Sequence, residues 1–363
     1  MSLPQPQPGI MSIKPYVAGK SKAGTQKIIK LSSNENNLGA SPLAVQAIAE
    51  SAAKVHRYPD SRCAELREAI GQVYKMNPAR IVCGAGSDEL IGLLVNAYAG
   101  SGDEVLYSQH GFLMYKIYTL GAGATPVVAP EKNLIADVDA ILAHVTPRTK
   151  LVFIANPNNP TGSCLPASEL KRLHKGLPEN VILVIDDAYA EYVDSPDYSD
   201  GRELVDEAHN VVMLRTFSKI YGLSALRLGW GYFPEGIADV LNRVRGPFNV
   251  SAVAQAAGVA AIKDVQYVQK AKEHNTKWRE WVSKQLASNV MTVHPSAANF
   301  ILVQFPGGKL SAQAANAFLL ERGIIPREVG EYGLPDCLRI TIGTEEENRA
   351  LVDGLKAFVE SNA

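Results

Sequence analysis

Short β-branched and aromatic runs recur through the middle of the chain: DEVLYS (103–108), TPVVAP (125–130), KLVFIANP (150–157), NVILVIDDAY (180–189) and NVVMLRTF (210–217). Continuous apolar runs of this length, most with helical stretches between them, are the signature of buried parallel strands. ADVDAILAHV (136–145) and PASELKRLHKGL (166–177) are long enough for right-handed crossovers. Upstream, SPLAVQAIAESAAKV opens on Ser41 as a serine cap with proline at the first helical position, and its apolar residues repeat at helical spacing. CAELREAIGQVY (63–74) predicts a second amphipathic helix, and RIVCGAGSDELIGLLVNAYA (80–99) predicts a strand, a glycine turn and a helix. These elements place an α/β domain over 33–255. Beyond it, NVSAVAQAAGVAAIKD (249–264) leads into a long helical stretch to about Gln285. Strand candidates NFILVQF (299–305) and CLRITIG (337–343) and helices LSAQAANAFLLERG (310–323) and EENRALVDGLKAFVES (346–361) then predict a smaller α+β domain over 256–363. An arm over 1–32 begins with four prolines in its first 15 residues and is expected to lack regular structure until it meets a surface.

Composition narrows the function. Apolar residues make up 46% of the 363 positions and charged residues 20%, enough to build a sizeable core. With 36 basic against 37 acidic residues the formal charge is -1, so no global field draws nucleic acid or an anionic membrane. Cys63, Cys83, Cys164 and Cys337 show no CxxC spacing and predict neither a disulfide scaffold nor a structural metal site. The N-terminus has no apolar signal core, and no run approaches about 18 apolar residues. The expectation is a cytoplasmic protein.

The segment TFSKIYGLSALRLGW (216–230) sets a lysine after a strand, among hydroxyls and glycines, with an arginine eight residues on. Lys219 is thus a candidate Schiff-base lysine for an aldehyde cofactor, and Thr216, Ser218 and Arg227 are candidates for holding a cofactor phosphate. An isolated lysine near a loop is usually a surface residue; the other segments change that weighting. Asp186 ends a predicted buried strand, where open α/β sheets bind ligands, and a carboxylate there can keep a pyridine nitrogen protonated. Tyr189 stands three residues on, within reach of a phenolic ring oxygen. Asp187 and Glu191 are expected to be solvated, and a metal at Asp186 and Asp187 is disfavoured because no histidine or second acidic cluster accompanies them. ANPNNPTG (155–162) ends another strand, and its prolines can hold the Asn159 amide toward the same ring oxygen. In CGAGSDELI (83–91), Gly86, Ser87 and Asp88 precede or open a helix whose amides can face an anion, although the text is neither GxxxxGK[ST] nor GxGxxG. Phe112 is a candidate for stacking on a ring, with a core position as the competing reading. Tyr58 and Arg57 form a polar patch before a helix. Arg339, inside the apolar run CLRITIGT, is placed for a substrate carboxylate or an internal ion pair, and Arg327 for a second anion or for solvent.

Taken in order, IKPY (13–16), SSNENNLG (32–39), RYPD (57–60), GSDE (86–89), NPNNPTG (156–162), DDAYAEY (186–192), TFSKIYGLSALRLGW and LRITIGT (338–344) resemble the fold-type I pyridoxal-phosphate aminotransferases, particularly the histidinol-phosphate aminotransferase family. The resemblance spans nearly the whole chain. It implies a fold-type I transferase: a large, mostly parallel-sheet α/β domain carrying pyridoxal 5'-phosphate and a smaller α+β C-terminal domain. It also implies that Lys219 binds the cofactor, Asp186 meets its ring nitrogen, and Asn159 and Tyr189 hold its ring oxygen. Gly86, Ser87, Asp88, Thr216, Ser218 and Arg227 would hold the phosphate, with Phe112 stacked on the ring. Tyr58 would come from the neighbouring subunit of a homodimer. Arg339 would take the α-carboxylate of glutamate and Arg327 the histidinol phosphate group, with Tyr16 and Asn36 helping to close the site. The implied reaction interconverts histidinol phosphate and 2-oxoglutarate with imidazole acetol phosphate and glutamate, by ping-pong kinetics in one site. A broad-specificity aromatic aminotransferase is the first alternative and a related decarboxylase the second. Two departures from the family pattern bear on specificity. Asn37 stands at the usual proline of SNENPLG, which would relax that loop, and SQHGFLMYK (108–116) replaces the commoner proline-threonine-aromatic form.

Overall fold

The computed structural model describes residues 6–16, 28–288 and 290–362; the remainder of the predicted arm, 1–5 and 17–27, lies outside them. The apolar runs form a seven-stranded sheet. Its strands are β1 (Ile81–Gly84), β2 (Glu104–Ser108), β3 (Thr125–Ala129), β4 (Thr149–Ala155), β5 (Ile182–Asp186), β6 (Val211–Thr216) and β7 (Gly229–Tyr232), in the order β1-β7-β6-β5-β4-β2-β3. The run from β6 through β5, β4 and β2 to β3 is parallel, and β7 is antiparallel to both β6 and β1. β2, β5 and β6 are buried along their whole length. This is what continuous Val, Ile and Leu runs require when helices cover both faces. TPVVAP differs from expectation: β3 is the edge strand, so much of it is exposed. The strand GWGY (229–232) carried no β-branched signal. Its glycines serve close approach instead, since a Cβ on Gly229 would lie 2.1 Å from the Ser87 nitrogen.

Helices α1 (Pro42–Ala52), α2 (Ala64–Tyr74), α3 (Ser87–Tyr98), α4 (Leu113–Gly121), α5 (Val138–Ala143), α6 (Ala167–Gly176), α7 (Arg202–Glu207), α8 (Glu235–Val244) and α9 (Ala252–Lys263) accompany the sheet. Ser41 caps α1 by accepting from Ala44 N at 3.1 Å, with Pro42 opening the helix. The long α10 (Val265–Leu286) leads to a second, antiparallel sheet of β8 (Thr292–His294), β9 (Phe300–Gln304), β10 (Arg327–Val329) and β11 (Leu334–Thr341), ordered β8-β9-β11-β10. This sheet has its own core, in which Trp278, Ile301, Val303, Leu338, Leu351 and Phe358 pack with α11 (Ala312–Glu321) and α12 (Glu345–Asn362). Residues Ile29–Lys30 pair in parallel with Ile324–Ile325 as a separate two-stranded sheet, tying the segment before SSNENNLG to the C-terminal part of the chain. In the proline-rich arm, Ile10–Ser12 forms one turn of 3-10 helix. Among the described residues, no helix is long and apolar enough to cross a membrane.

Candidate active site

β4, β5 and β6 end side by side, and their carboxyl ends open into a cavity of about 440 Å³ lined by Ala155, Asp186, Thr216, Lys219 and residues of the adjoining loops. Parallel strands deliver functional side chains to one rim in this way.

Lys219 sits in the turn after β6, with its Nζ donating to the Ser33 carbonyl at 3.3 Å and lying 5.6 Å from the Tyr189 ring centre. Burial first, and then the charge of Arg339, bring its amine down to about 7. A neutral amine is therefore available near neutral pH. Asp186, 6% exposed, accepts from the Tyr115 hydroxyl through Oδ2 at 2.8 Å, and although the Ala188 N–H faces the carboxylate, its buried Oδ1 has no well-formed hydrogen bond among the described residues. Burial pushes its carboxyl up to about 6. A buried carboxylate oxygen left without a partner is costly unless a ligand supplies the donor.

Asn159 and Tyr189 flank the same space. The Asn159 Oδ1 accepts from Arg339, which leaves the amide N–H groups for another acceptor. The Tyr189 oxygen accepts from Asn34 Nδ2 at 2.8 Å, so its own proton can be donated onward. Asn34 stands at φ 56, a left-handed conformation held by its N–H donating to Thr341 Oγ1 at 2.9 Å.

Also on the cavity wall, Ser87 opens α3, whose first-turn amides and positive end favour an anion. Arg227, itself at φ 49, lays its guanidinium over this turn and donates to Ser218 Oγ at 3.2 Å. Gly86 is needed here, because a Cβ would lie 2.6 Å from Arg227 Nη2. The Asp88 carboxylate is turned to the Tyr118 hydroxyl, 3.0 Å away, so only its backbone suits an anion. Thr216 Oγ1 accepts from Ser218 N at 3.0 Å. Phe112 and Ala188 both line the cavity, and Phe112 meets Tyr115 edge-on at 5.9 Å.

Arg339 is 6% exposed and, among the described residues, no charged group compensates it at hydrogen-bonding distance and its Nε has no partner: it donates to Asn159 Oδ1 and, at 2.6 Å, to the Ser32 carbonyl. An internal ion pair, the competing expectation, is not what these bonds form. Arg327 lies farther out, 5.9 Å from the Tyr16 ring centre and 3.9 Å from Glu331, and Tyr16 reaches the cavity.

Three sequence-predicted residues sit elsewhere or act differently. Tyr58 is 83% exposed and stacks on Phe248 at 4.5 Å, away from its own chain's cavity. Asn36 does not line the cavity; its amide donates to the Ile220 carbonyl at 2.7 Å, pinning the loop beside Lys219. Asn37 does not loosen that loop, since its Nδ2 donates to Glu347 Oε2 at 2.8 Å. The expectation of solvated Asp187 and Glu191 is wrong. Asp187 is completely buried, and Glu191 pairs at 2.8 Å with Arg215, itself 3% exposed, because β6 carries that arginine into the interior. Tyr115, Ser33 and Glu35 are additions. Tyr115 stands three positions after Phe112 on the first turn of α4, so helical spacing could have marked it; the other two carried no signal.

A profile described as aminotransferase class I and II matches residues 26–355. The chain is 58% identical over 362 residues to a histidinol-phosphate aminotransferase of Paramagnetospirillum magneticum, covering 99% of each chain. It is 57% identical over 359 residues to that of Rhodospirillum rubrum, covering 98% of this chain and 97% of the other. A crystal structure of histidinol-phosphate aminotransferase from Sinorhizobium meliloti in complex with pyridoxal-5'-phosphate superposes with a TM-score of 0.92 at 30% identity, covering 100% of this chain and 99% of that one. Fold and site together define a class I and II aminotransferase. Within that class the chain belongs to the histidinol-phosphate aminotransferase family.

Proposed function

We propose that this chain is a pyridoxal-phosphate-dependent aminotransferase that interconverts histidinol phosphate and 2-oxoglutarate with imidazole acetol phosphate and glutamate. The observation that carries the reading is one cavity lined by a buried lysine with a depressed pKa, a buried aspartate with one unpartnered oxygen, and an arginine-covered helix N-terminus. These residues fit the cofactor. Asp186 Oδ1 supplies the acceptor that a protonated ring nitrogen needs, Asn159 and Tyr189 supply donors for the ring oxygen, and Ser87, Ser218 and Arg227 supply the phosphate pocket. When bound, pyridoxal phosphate contributes an aldehyde that condenses with amines and a ring that accepts electron density from the adjacent carbon. Lys219 Nζ holds the cofactor and, once displaced by the donor amine, takes the proton from the donor α-carbon. A value near 7 lets the amine take up and return protons at working pH. Asp186, as a carboxylate, holds the ring-nitrogen proton in place. Arg339 orients the glutamate carboxylate with its planar fork. Histidinol phosphate has no α-carboxylate and instead presents its phosphate to the positive side of the cavity, where Arg327 adds charge.

Substitution of Arg339 by methionine is expected to lower kcat/KM for the glutamate half-reaction by about 10²–10³-fold, and that for histidinol phosphate much less. Stopped-flow spectra of each half-reaction separate the two; an equal loss in both would remove the carboxylate assignment.

The working unit is a homodimer in this proposal, and Tyr58 serves the neighbouring site. Leu43, Val45, Val55, Tyr58, Val244 and Phe248 are large apolar side chains exposed in the single chain, as an interface would require. Mixed dimers of Lys219→Ala and Tyr58→Ala chains should regain activity that neither variant shows alone, because one of the two shared sites then has both residues intact. Failure to complement, with mixed dimers present by mass, would argue for sites built within one chain. We place the enzyme in the cytoplasm, where free thiols at Cys63, Cys83, Cys164 and Cys337 are maintained.

A further inference from the structure

Asp187, next to Asp186, is a wholly buried titratable group that the reaction above does not use. Its Oδ1 lies 2.9 Å from the Tyr198 hydroxyl, and its Oδ2 has no partner among the described residues. The same hydroxyl lies 3.2 Å from the Asn156 carbonyl. A phenol has one proton to donate. Given to a charged Asp187, that proton would leave the Asn156 carbonyl facing a bare oxygen. With Asp187 as the neutral acid both contacts are satisfied: its O–H donates to the Tyr198 oxygen, and Tyr198 donates to the carbonyl.

Charge points the same way. The groups facing Asp187 are Arg215 on β6, Asp200, Asp186 and the Cys164 thiol, along with Tyr198 itself. Arg215 already spends Nη1 on Glu191 and Nη2 on Asp200, each at 2.8 Å. One guanidinium thus faces two carboxylates, and a third buried charge would stand uncompensated. Burial accordingly holds the Asp187 carboxyl well above the usual range, although Arg215 pulls the other way. Cys164, pushed up to about 12 by burial, contributes no charge.

What the proton holds in place is a part of the site. Asn156 N donates to the Asp186 carbonyl at 3.0 Å, and the Asn156 side chain is committed to Leu165. The Asn156 carbonyl begins the peptide to Pro157, and Pro157 and Asn159 both line the cavity. We propose that Asp187 is a positioning residue working as a neutral acid: its proton, relayed as a hydrogen bond through Tyr198, holds the Asn156 carbonyl and with it the loop that presents Asn159 to the ring oxygen. This rests on the aminotransferase reading for its catalytic consequence.

Infrared difference spectra of the full chain against Asp187→Asn at pH 8 test the protonation without any cofactor. The expected result is a protonated-carboxyl C=O band present in the parent and lost in the variant; carboxylate bands in its place would overturn the proposal even if the cofactor reading stood. The positioning is read in the holoenzyme from the pH midpoint of the lysine-bound cofactor's visible absorption. Losing a hydrogen bond to the ring oxygen leaves more electron density there and favours the protonated form. Tyr198→Phe should therefore raise the midpoint by about one pH unit, the scale of one hydrogen bond. Asp187→Asn, whose amide still donates to Tyr198, should leave it in place and keep turnover within about twofold. An unmoved midpoint in Tyr198→Phe, or an equal shift in both variants, would overturn the positioning role.

Discussion

Lys219→Ala should lose the visible absorption of the lysine-bound cofactor and at least about 10⁴-fold in turnover, while remaining folded. Both roles proposed for Lys219 would be lost together: the amine that captures the cofactor aldehyde and the base that takes the α-proton. The same lysine sets a pH dependence. Its folded value of about 7 lies below the ordinary 10.5, so the reactive neutral amine is scarce below pH 7 and dominant above it. Capture of pyridoxal phosphate by the apo-protein, followed as growth of visible absorption, should accelerate as pH rises through about 7 and then level off. A rate that kept climbing toward pH 10 would show that burial does not depress this amine. Retained absorption and turnover in Lys219→Ala would remove it from the chemistry altogether.

Asp186→Asn should trade activity for stability. An amide cannot balance a positive ring nitrogen, and a fall in turnover of about 10²–10³-fold is expected from the lost electrostatic stabilisation. In the apo-protein the sign reverses. The Asp186 carboxyl titrates near 6 when folded against 3.8 unfolded, so the folded state retains a proton that the unfolded chain releases between those values. Stability is lost as pH rises across that window, and the full cost, about 3 kcal/mol for roughly two units, persists above it. The amide escapes this cost and can still accept from Tyr115. Denaturant unfolding of apo-protein at pH 8 should show the variant more stable by about 2–3 kcal/mol, with the advantage fading toward pH 4. A less stable variant at pH 8 would mean that the carboxylate is compensated in the absence of cofactor.

These effects explain which parts of the site were legible from sequence. β5 and β6 are continuous apolar runs, so their ends marked Asp186 and Lys219 directly; the open cavity they share follows from parallel neighbours ending on one rim. Arg339 stood out because a charge inside an apolar strand demands a partner. What stayed hidden depends on contacts between distant segments. Arg215 carries the same signal as Arg339, a charge inside the apolar run of β6, but its partners Glu191 and Asp200 lie on a separate segment and nothing local names them, and so Asp187 and Glu191 were misread as solvated. Asn37 looked like a loosened loop because its partner, Glu347, is far away on α12. The strand Gly229–Tyr232 carried no β-branched signal because its glycines answer to close neighbours, Gly229 to the backbone of the turn before α3 and Gly231 to the Phe233 and Leu214 side chains.

Transfer of an amino group from histidinol phosphate in this cavity has a direct spectral signature. Titrating the holoenzyme separately with histidinol phosphate, glutamate and phenylalanine, while recording its visible spectrum, tests this without a coupled assay. Histidinol phosphate and glutamate are each expected to discharge the yellow absorption of the lysine-bound cofactor, with histidinol phosphate far more effective than phenylalanine. A spectrum discharged by phenylalanine and glutamate but unmoved by histidinol phosphate would contradict it.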